Sequence, residues 1–416
     1  MLTPHLAFRD GTAWLESVRL EDVARHFGTP TYVYSRQAIV DNFRCYRDAF
    51  APLRPLICYA VKANSSLSVL SLLAREGAGF DIVSGGELSR VIAAGGDPGR
   101  VIFSGVGKSV QEIDFALRQG IHCFNIESEP ELERVHARAR LLGTRARISL
   151  RVNPDVDAKT HPYISTGLKS NKFGVPHADA ERLYMRAAAM NGIEILGIEC
   201  HIGSQIIQLG PYIDALDRLL ELVERLSDRG IILEHLDLGG GRGISYGGEE
   251  PVPMQEFADA VIQRLGGRDL RLLLEPGRSI VGNAGLLLTR VEYLKPGEAR
   301  NFAIVDAAMN DLIRPTLYDA EHPLIAVTPR TGSPIHYDVV GPVCESGDWL
   351  ARARDLIVEE GDLLAILCAG AYGMTMASNY NTRGRPCEVL IDRAETLLIR
   401  ERERFEHQIA LEHIVV

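Results

Sequence analysis

The residues of this sequence that could do chemistry fall at the ends of strand-like segments. Lys62, His201 and Glu275 each follow a short β-branched or aliphatic run, and so does the glycine triplet Gly239–Gly241. A lysine amine can form a Schiff base with an aldehyde, glycine N–H groups can approach a phosphate, and a carboxylate can face a ring nitrogen. These are the three requirements of pyridoxal 5'-phosphate, which is the cofactor that the residues suggest.

Each of these features taken alone has a more ordinary explanation. Lys62 alone would be a solvated surface lysine, and His201 alone a hydrogen-bonded structural histidine. The triplet alone would be a tight turn, and Glu275 with Arg278 would form a weak surface ion pair. Their shared position at strand ends is what favours a common site.

The elements that must position these residues alternate between strand and helix. Strand-like runs occur at Leu56–Val61, Phe80–Val83, Val101–Ser104, His122–Ile126, Ile148–Val152, Ile195–Cys200, His235–Leu238 and Leu272–Glu275. Helix-period segments lie between them at Ser66–Glu76, Gly86–Ala94, Ser109–Gln119, Glu129–Leu142, Ala178–Met190 and Pro211–Arg229. The pattern predicts a closed (β/α)8 barrel of about 250 residues, with an open doubly wound sheet as the competing topology. In such a barrel the strand ends share one face, where active sites lie, and the last two loops commonly hold a phosphate.

The rhythm changes after about residue 282, where strand-like runs follow one another without helices. They lie at Leu286–Tyr293, Phe302–Val305, Leu324–Val327, Tyr337–Val340, Leu363–Cys368, Glu388–Ile391 and Thr396–Ile399. We therefore expect a barrel over 35–280 and an all-β domain, of sandwich or barrel type, from 1–34 and 281–416. Thr31–Tyr34 is expected to add a strand to the second domain.

Composition excludes several classes of protein. The 416 residues are 46% hydrophobic and 24% charged, which is ordinary for a globular chain, and no run approaches the roughly 20 apolar residues of a membrane span. The net charge of −10 and the lack of a basic stripe argue against nucleic-acid binding. Seven widely spaced cysteines, without a C-x-x-C pair or a secretion signal, predict a cytoplasmic protein with no metal site.

Two nucleotide-binding motifs fail on inspection. Gly107-Lys108-Ser109 resembles the end of a P-loop, but Ile102 occupies the position of the first required glycine. The segment Gly239–Gly243 has Ile244 where a dinucleotide fingerprint needs its last glycine. The sequence also lacks the G-x-S-x-G motif of a serine hydrolase.

The combined motifs resemble the ornithine/diaminopimelate decarboxylase family of pyridoxal-phosphate enzymes. In the barrel the matching segments are Tyr59–Asn64, Asn153–Gly174 with Thr160–Tyr163 and Asn171–Gly174, His201–Gln205, Gly239–Gly241 and Glu275–Arg278. In the second domain Val305–Tyr318, Gly341–Asp348 and Ala371–Gly373 are similar to the diaminopimelate branch. The resemblance spans roughly residues 30–390.

The resemblance implies a set of cofactor contacts. Lys62 would hold the cofactor as a Schiff base and later release the product, Glu275 would face the ring nitrogen, and His201 would stack on the ring. The phosphate would be held by a further group of residues: Ser204, Gly240, Gly241, Gly277, Arg278 and Tyr372.

The resemblance also implies a substrate and a reaction. Arg278, Arg314 and Tyr318, with Tyr372 beside them, would grip a carboxylate far from the reacting carbon. Glu345 would receive the distal ammonium. Cys344 would protonate the carbon after carbon dioxide leaves. Cys344 and its acidic neighbour would come from the second subunit of a homodimer. The expected reaction converts meso-2,6-diaminopimelate to L-lysine.

Three alternatives stay open at this point. A sister decarboxylase could act on ornithine, lysine or a carboxylated polyamine, although Arg314 and Tyr318 would then find no distal carboxylate. A racemase on a similar barrel would need a second base in place of Cys344 and Glu345. A non-catalytic cofactor-binding regulator would be expected to lose Lys62 or Cys344, and both are present.

Overall fold

The computed structural model describes residues 3–157 and 171–415. The chain divides into two compact units. The barrel unit comprises Asn42–Ile244 and Glu250–Ser279, and the β unit comprises Met1–Asp41, Ser245–Glu249 and Ile280–Val416. The predicted motif Thr160–Tyr163 lies outside the described residues. None of the helices within the described ranges is long and apolar enough to cross a membrane.

The barrel unit confirms the predicted closed barrel. Its strands, in chain order, are Leu56–Ala60, Gly79–Ile82, Val101–Phe103, Cys123–Ile126, Ala146–Asn153, Ile193–Glu199, His235–Asp237 and Arg271–Leu274. Neighbouring strands pair in parallel, and the last pairs with the first through Leu273 and Leu56, which excludes an open sheet. Val175–Pro176 adds a short parallel pairing to the fifth strand.

Helices alternate with these strands. They are Leu67–Arg75, Gly85–Ala93, Val110–Gln119, Glu129–Leu141, His177–Ala188, Gly210–Asp228 and Met254–Leu265. Their ends follow ordinary capping chemistry: Ser109 and Glu112 form a capping box at the third helix, and Gly120 ends that helix at φ 65°. Arg36–Ala49 and Arg278–Val281 are further helices, each running across a division between the two units.

A cluster of buried apolar side chains lies in the barrel interior. It consists of Leu56, Cys58, Ile102, Cys123, Leu196 and Leu273. Two buried acids lie in direct register with members of this cluster: Asp81 pairs with Ile102, and Asp237 pairs with Leu273. The apolar cluster is therefore bordered by polar groups, and Glu275 follows the last strand at its carboxyl end, where the active sites of such barrels lie.

The β unit is mostly sheet, as predicted, with one long mixed sheet and one small antiparallel sheet. The small sheet contains Leu6–Arg9, Thr12–Leu15 and Val18–Arg19. The long sheet runs in the spatial order Trp349–Leu356, Ile335–Val340, Asn301–Val305, Gly285–Lys295, Thr31–Ser35, Cys387–Asp392 and Glu395–Arg400. Leu363–Ile366 pairs with Gly285–Lys295 and with Leu324–Ala326.

Helices of the β unit depart from the expected all-β pattern. Leu20–Phe27 precedes the long sheet, and Arg314–Tyr318 and Phe405–Ile409 interrupt the region expected to be helix-free. The predicted strand near Thr31 is confirmed as Thr31–Ser35, fully buried between two partners. The strand Trp349–Leu356 was not predicted from the sequence.

Candidate active site

Lys62 lies just beyond the first barrel strand, in the 3-10 turn Val61–Ala63. Val61 and Ala63 are buried on either side of it, whereas the Lys62 side chain is 34% exposed. Its Nζ donates a hydrogen bond of 2.7 Å to Oδ2 of Asp81, which is fully buried. The turn therefore presents a primary amine at the open end of the barrel, which is the position a Schiff-base lysine requires.

Glu275 follows the eighth strand and is only 3% exposed. Its Oε1 accepts a hydrogen bond of 3.3 Å from Asn125 Nδ2. Burial, followed by the nearby Asp237 carboxyl, raises the pKa of Glu275 well above its usual range. A positively charged ring nitrogen in contact with Glu275 would favour the ionised form of this carboxyl group.

His201 follows the sixth strand as a neutral ring. The N–H of Gly240 donates to His201 Nδ1 at 3.2 Å, so Nδ1 carries no proton. Burial, together with the cations Arg151 and Lys62, lowers the pKa of His201 well below its usual value. The separation of 3.9 Å between Nδ1 and Glu275 Oε2 is therefore not an ion pair. A flat neutral ring is well suited to stacking on an aromatic ligand.

The glycine triplet follows the seventh strand, and it has no room for side chains. A Cβ atom on Gly240 would lie 2.0 Å from the carbonyl oxygen of Glu275. One on Gly241, at φ 93°, would lie 2.1 Å from the carbonyl oxygen of Gly203. Tyr212 donates its hydroxyl hydrogen to the Gly240 carbonyl at 3.0 Å and so fixes the turn. Only glycine allows these loops to approach one another, and the bare backbone can approach an anion.

Arg278 and Ser204 join the loops that follow the eighth and sixth strands. Arg278 Nη2 donates to Ser204 Oγ at 3.1 Å, and Arg278 is 6% exposed. A Cβ atom on Gly277 would meet the Cβ atoms of Ala60 and Ala63 at 3.0 Å, so this loop packs tightly on the first strand. The two loops provide a guanidinium, a hydroxyl and close backbone, which is the chemistry of a phosphate site.

The barrel unit thus brings eight of the predicted residues to the carboxyl ends of its strands. They are Lys62, His201, Ser204, Gly240, Gly241, Glu275, Gly277 and Arg278. An amine, a neutral ring, a bare backbone cradle and a buried carboxyl group fit pyridoxal phosphate. The individual roles of these residues stay predictions.

Arg314 is a predicted residue of the β unit, and it is buried and held by neighbouring side chains. It begins the helix Arg314–Tyr318, is 6% exposed, and contacts His322 Nε2 through Nη1 at 2.7 Å. His322 Nδ1 lies 2.9 Å from the Leu367 carbonyl and must donate to it, so Nε2 accepts from Arg314. The guanidinium also lies 5.0 Å from the ring centre of Tyr246. Arg314 is therefore held by a side-chain scaffold that the sequence analysis did not detect.

Cys344 and Glu345 are exposed on a loop of the β unit. Asp348 holds this loop: its two carboxylate oxygens accept from Met309 N and Val343 N, both at 2.7 Å. Beyond that anchor, Asn381 Oδ1 accepts from Cys344 N at 3.1 Å, and Tyr380 donates to Glu345 Oε1 at 2.5 Å. The loop presents a thiol and a carboxylate side by side.

The other two predicted residues of the β unit, Tyr318 and Tyr372, are half-buried. Tyr318 ends the short helix that begins with Arg314. Tyr372 has φ 56°, a left-handed conformation that is uncommon for a residue with a side chain. Strained backbone of this kind is often retained where a side chain has a functional position, which is consistent with the predicted role of Tyr372.

Several polar residues inside the barrel were not singled out from the sequence. They are Asp81, Asn125, Arg151, Glu199 and Asp237, all less than 9% exposed. Each lies in the second half of its barrel strand, and a polar residue at that position was the available signal. A polar residue in a buried strand usually has a purpose, because burying it without a partner is costly.

Comparisons with known proteins agree with this geometry. Residues 36–282 match the family model described as "Pyridoxal-dependent decarboxylase, pyridoxal binding domain". A diaminopimelate decarboxylase of Pseudomonas aeruginosa is 58% identical over 409 residues, covering 98% of this chain and 99% of the relative.

Two solved structures are similar along nearly the whole chain. The diaminopimelate decarboxylase of Helicobacter pylori, complexed with L-lysine, is 45% identical with a TM-score of 0.91, covering 94% of this chain and 99% of the other. That of M. jannaschii, in co-complex with L-lysine, is 37% identical with a TM-score of 0.95, covering 100% and 99%. The chain therefore belongs to the pyridoxal-dependent decarboxylases and, among them, to the diaminopimelate decarboxylases.

Proposed function

We propose that this chain decarboxylates meso-2,6-diaminopimelate to L-lysine and carbon dioxide with pyridoxal phosphate as cofactor. The observation that carries the proposal is the identity of 58% along 98% of the chain to a diaminopimelate decarboxylase. The lysine bound to two structural relatives is the expected product. The amine of Lys62, beside the buried Asp81, supplies the group that the cofactor needs.

The cofactor, when bound, supplies an aromatic ring that accepts the electrons of the breaking bond. Residues of this chain would bind and orient the cofactor. Lys62 would hold the cofactor aldehyde covalently and Glu275 would place a negative charge at the ring nitrogen. His201 would cover one face of the ring and exclude water from it. The phosphate would be held by the backbone of Gly240, Gly241 and Gly277 with Ser204, Arg278 and Tyr372.

Selection of the substrate would depend on its far end. Arg278, Arg314 and Tyr318 would bind the carboxylate that is retained in the product, and Glu345 would bind the distal ammonium. A planar guanidinium offers paired donors to a carboxylate, and His322 already fixes the orientation of Arg314. Binding energy from this end would align the scissile bond with the ring, so substrates lacking the distal groups should lose kcat as well as affinity.

Cys344 would hold the proton that is delivered to carbon after carbon dioxide departs. In the proposed homodimer, Cys344 and Glu345 of each subunit complete the site of the other, giving two equivalent sites. Their exposure in the single chain supports this arrangement, because a second subunit can reach them. We place the enzyme in the cytoplasm, and its seven cysteines, none of which is in a disulfide, support a reducing compartment.

A steady-state comparison of meso-diaminopimelate, L-lysine and L-ornithine tests the proposal. We expect kcat/KM for meso-diaminopimelate to exceed the other values by about 10³-fold or more, because the distal carboxylate partners would otherwise be left unpaired. Efficient turnover of lysine or ornithine would assign the chain to a sister activity. Cofactor binding without turnover of any of the three substrates would favour a regulator.

A further inference from the structure

The upper interior of the barrel carries charged residues in direct register on adjacent strands. Arg151 pairs with Glu199, and Glu199 pairs with Asp237. Asp237 pairs with Leu273, two residues before Glu275. Since alternate residues of a strand share a face, Asp237 and Glu275 both project to the side occupied by Leu273, which is the barrel core. These pairings form a row of side chains from Arg151 through Glu199 and Asp237 towards Glu275, the carboxyl group proposed to face the cofactor.

Acids outnumber bases in this layer. Asp81, Glu199, Asp237 and Glu275 are between 0% and 3% exposed. The facing cations are Lys62, which is bonded to Asp81, and Arg151, which contacts Glu127 at 3.0 Å and Glu199 at 3.6 Å. The other titratable groups near these acids include Glu127, the buried thiols of Cys58, Cys123 and Cys200, and the neutral His201. Asp237 and Glu275 therefore lack a cation of their own among the described residues.

Asp237 and Glu275 instead face one another. Asp237 Oδ1 accepts a hydrogen bond of 2.8 Å from Gly239 N. Its Oδ2 is buried and accepts nothing from the described part of the chain, while its carboxyl group lies within hydrogen-bonding reach of Glu275. Two carboxylates in contact cannot both be ionised without strong repulsion, and a proton between them removes it. Burial is the largest cause that raises the pKa of Asp237, to about 7, and the pKa of Glu275 well above its usual range, whereas the hydrogen bond with Glu275 lowers the pKa of Asp237. Without a cofactor the shared proton therefore favours Glu275.

We propose that Asp237 is a positioning residue whose protonated carboxyl group donates a hydrogen bond to Glu275 and keeps Glu275 ionised towards the cofactor ring nitrogen. The inference rests on the proposed cofactor role of Glu275. A positive ring nitrogen holds the negative charge on Glu275, so the proton of the pair resides on Asp237, one strand away. Asp237 does not touch the cofactor and acts only through Glu275.

Two substitutions at position 237 separate this role from simple packing. Asp237→Asn has nearly the same shape, and its amide can accept from Gly239 and donate to Glu275 without titrating. Asp237→Leu has similar bulk but donates nothing. At neutral pH we expect Asp237→Asn to bind pyridoxal phosphate within about threefold of wild type, and Asp237→Leu to bind it about tenfold more weakly or worse. Equal affinity in all three proteins would overturn the proposal.

Infrared spectroscopy of the holoenzyme supplies a direct readout that does not depend on turnover. The difference spectrum of wild type minus Asp237→Asn should contain the carbonyl stretch of a protonated carboxylic acid. The control, Glu199→Gln, removes a neighbouring carboxyl that is not bonded to Glu275 and should retain the Asp237 band. If this band is absent at neutral pH from the difference spectrum of wild type minus Asp237→Asn, the proposal is overturned. This test does not depend on whether Asp237→Leu folds. A chain with another substrate would still show the band, so the two proposals fail separately.

Discussion

Lys62 and Asp81 form an ion pair in which Nζ lies 2.7 Å from Oδ2. Asp81 comes from the neighbouring strand, where it pairs with Ala60, two residues before Lys62. Its side chain is fully buried, whereas that of Lys62 is 34% exposed. The buried carboxylate therefore holds the amine where an aldehyde arriving from solvent can reach it.

Lys62→Ala should abolish turnover and covalent capture of the cofactor. It should also lower the free energy of unfolding by about 1–3 kcal/mol, because Asp81 is left buried without its cation. The double variant Lys62→Ala/Asp81→Asn should regain stability and stay inactive. Borohydride reduction with mass spectrometry locates the adduct, and denaturant titration measures stability. The control Lys295→Ala changes an exposed lysine at a strand end and should match wild type. Near-normal activity of Lys62→Ala would refute the assignment.

Gly240→Ala should weaken cofactor binding by tenfold or more, because the new Cβ would lie 2.0 Å from the Glu275 carbonyl oxygen and force the loops apart. Gly248→Ala is the matched control, since nothing lies within 4 Å of a Cβ there. Fluorescence titration with pyridoxal phosphate measures both affinities. Equal affinities would show that the tight approach of these loops does not serve the cofactor.

Arg314→Lys should lower kcat/KM for meso-diaminopimelate by about 10–100-fold despite keeping the positive charge. A lysine ammonium cannot present paired donors, and it cannot keep both the His322 contact and the stacking on Tyr246. Arg330→Lys changes an arginine paired with Asp362 at the surface and should leave the kinetics unchanged. Unaltered kinetics for Arg314→Lys would place this residue outside the substrate site.

Cys344→Ala should slow lysine formation by about 10²-fold or more while leaving cofactor affinity unchanged, because only proton delivery is removed. Cys45→Ala removes another exposed thiol, one in the helix Arg36–Ala49, and should behave as wild type. Rapid-quench product analysis and cofactor absorbance separate the two effects. If Cys344→Ala loses the cofactor, the thiol is structural.

His235 should make the protein less stable in acid. Burial, followed by the neighbouring His122, lowers the pKa of His235 from 6.5 to about 3. Below the unfolded pKa the unfolded chain takes up a proton that the folded chain cannot, so stability falls with pH until the folded pKa is reached. Relative to His235→Gln, which can still bond Ser149, wild type should lose about 2 kcal/mol between about pH 7 and about pH 5.

Denaturant titration of both proteins across this range measures the loss. The exposed His413→Gln serves as the control and should follow wild type. If stability falls equally with pH in wild type and His235→Gln, folded His235 takes up its proton at the same pH as the unfolded chain, and the prediction is wrong.

Local sequence patterns predicted the strands and most helices of the barrel, whereas its closure, as opposed to an open sheet, is shown by the pairing of the last strand with the first. Its strands carry compact apolar runs, and caps such as Ser109 with Glu112 mark helix ends in a way that needs no tertiary information. The positions of Lys62, His201 and Glu275 followed from strand order alone. The sequence analysis did not predict the helix Met254–Leu265, although the distance between the strands His235–Asp237 and Arg271–Leu274 leaves room for one.

The interior acids and the supports of the β unit could not be predicted in the same way. The relation of Asp237 to Glu275 depends on the pairing of their two strands, in which Asp237 pairs with Leu273, two residues before Glu275. His322 supports Arg314 through a bond to Leu367, 45 residues later in the chain. Such partners are set by tertiary contacts, and no periodicity within a single segment reports them.

The strand Thr31–Ser35 has one further consequence, which concerns synthesis of the chain. Both of its partners, Gly285–Lys295 and Cys387–Asp392, are translated more than 240 residues later. A nascent chain that has completed its barrel still carries this apolar segment with two open edges, which is a hazard for aggregation. A nonsense mutation between residues 296 and 386 would leave one edge permanently unpaired, so these truncated products should be cleared by quality control even though their barrel is complete.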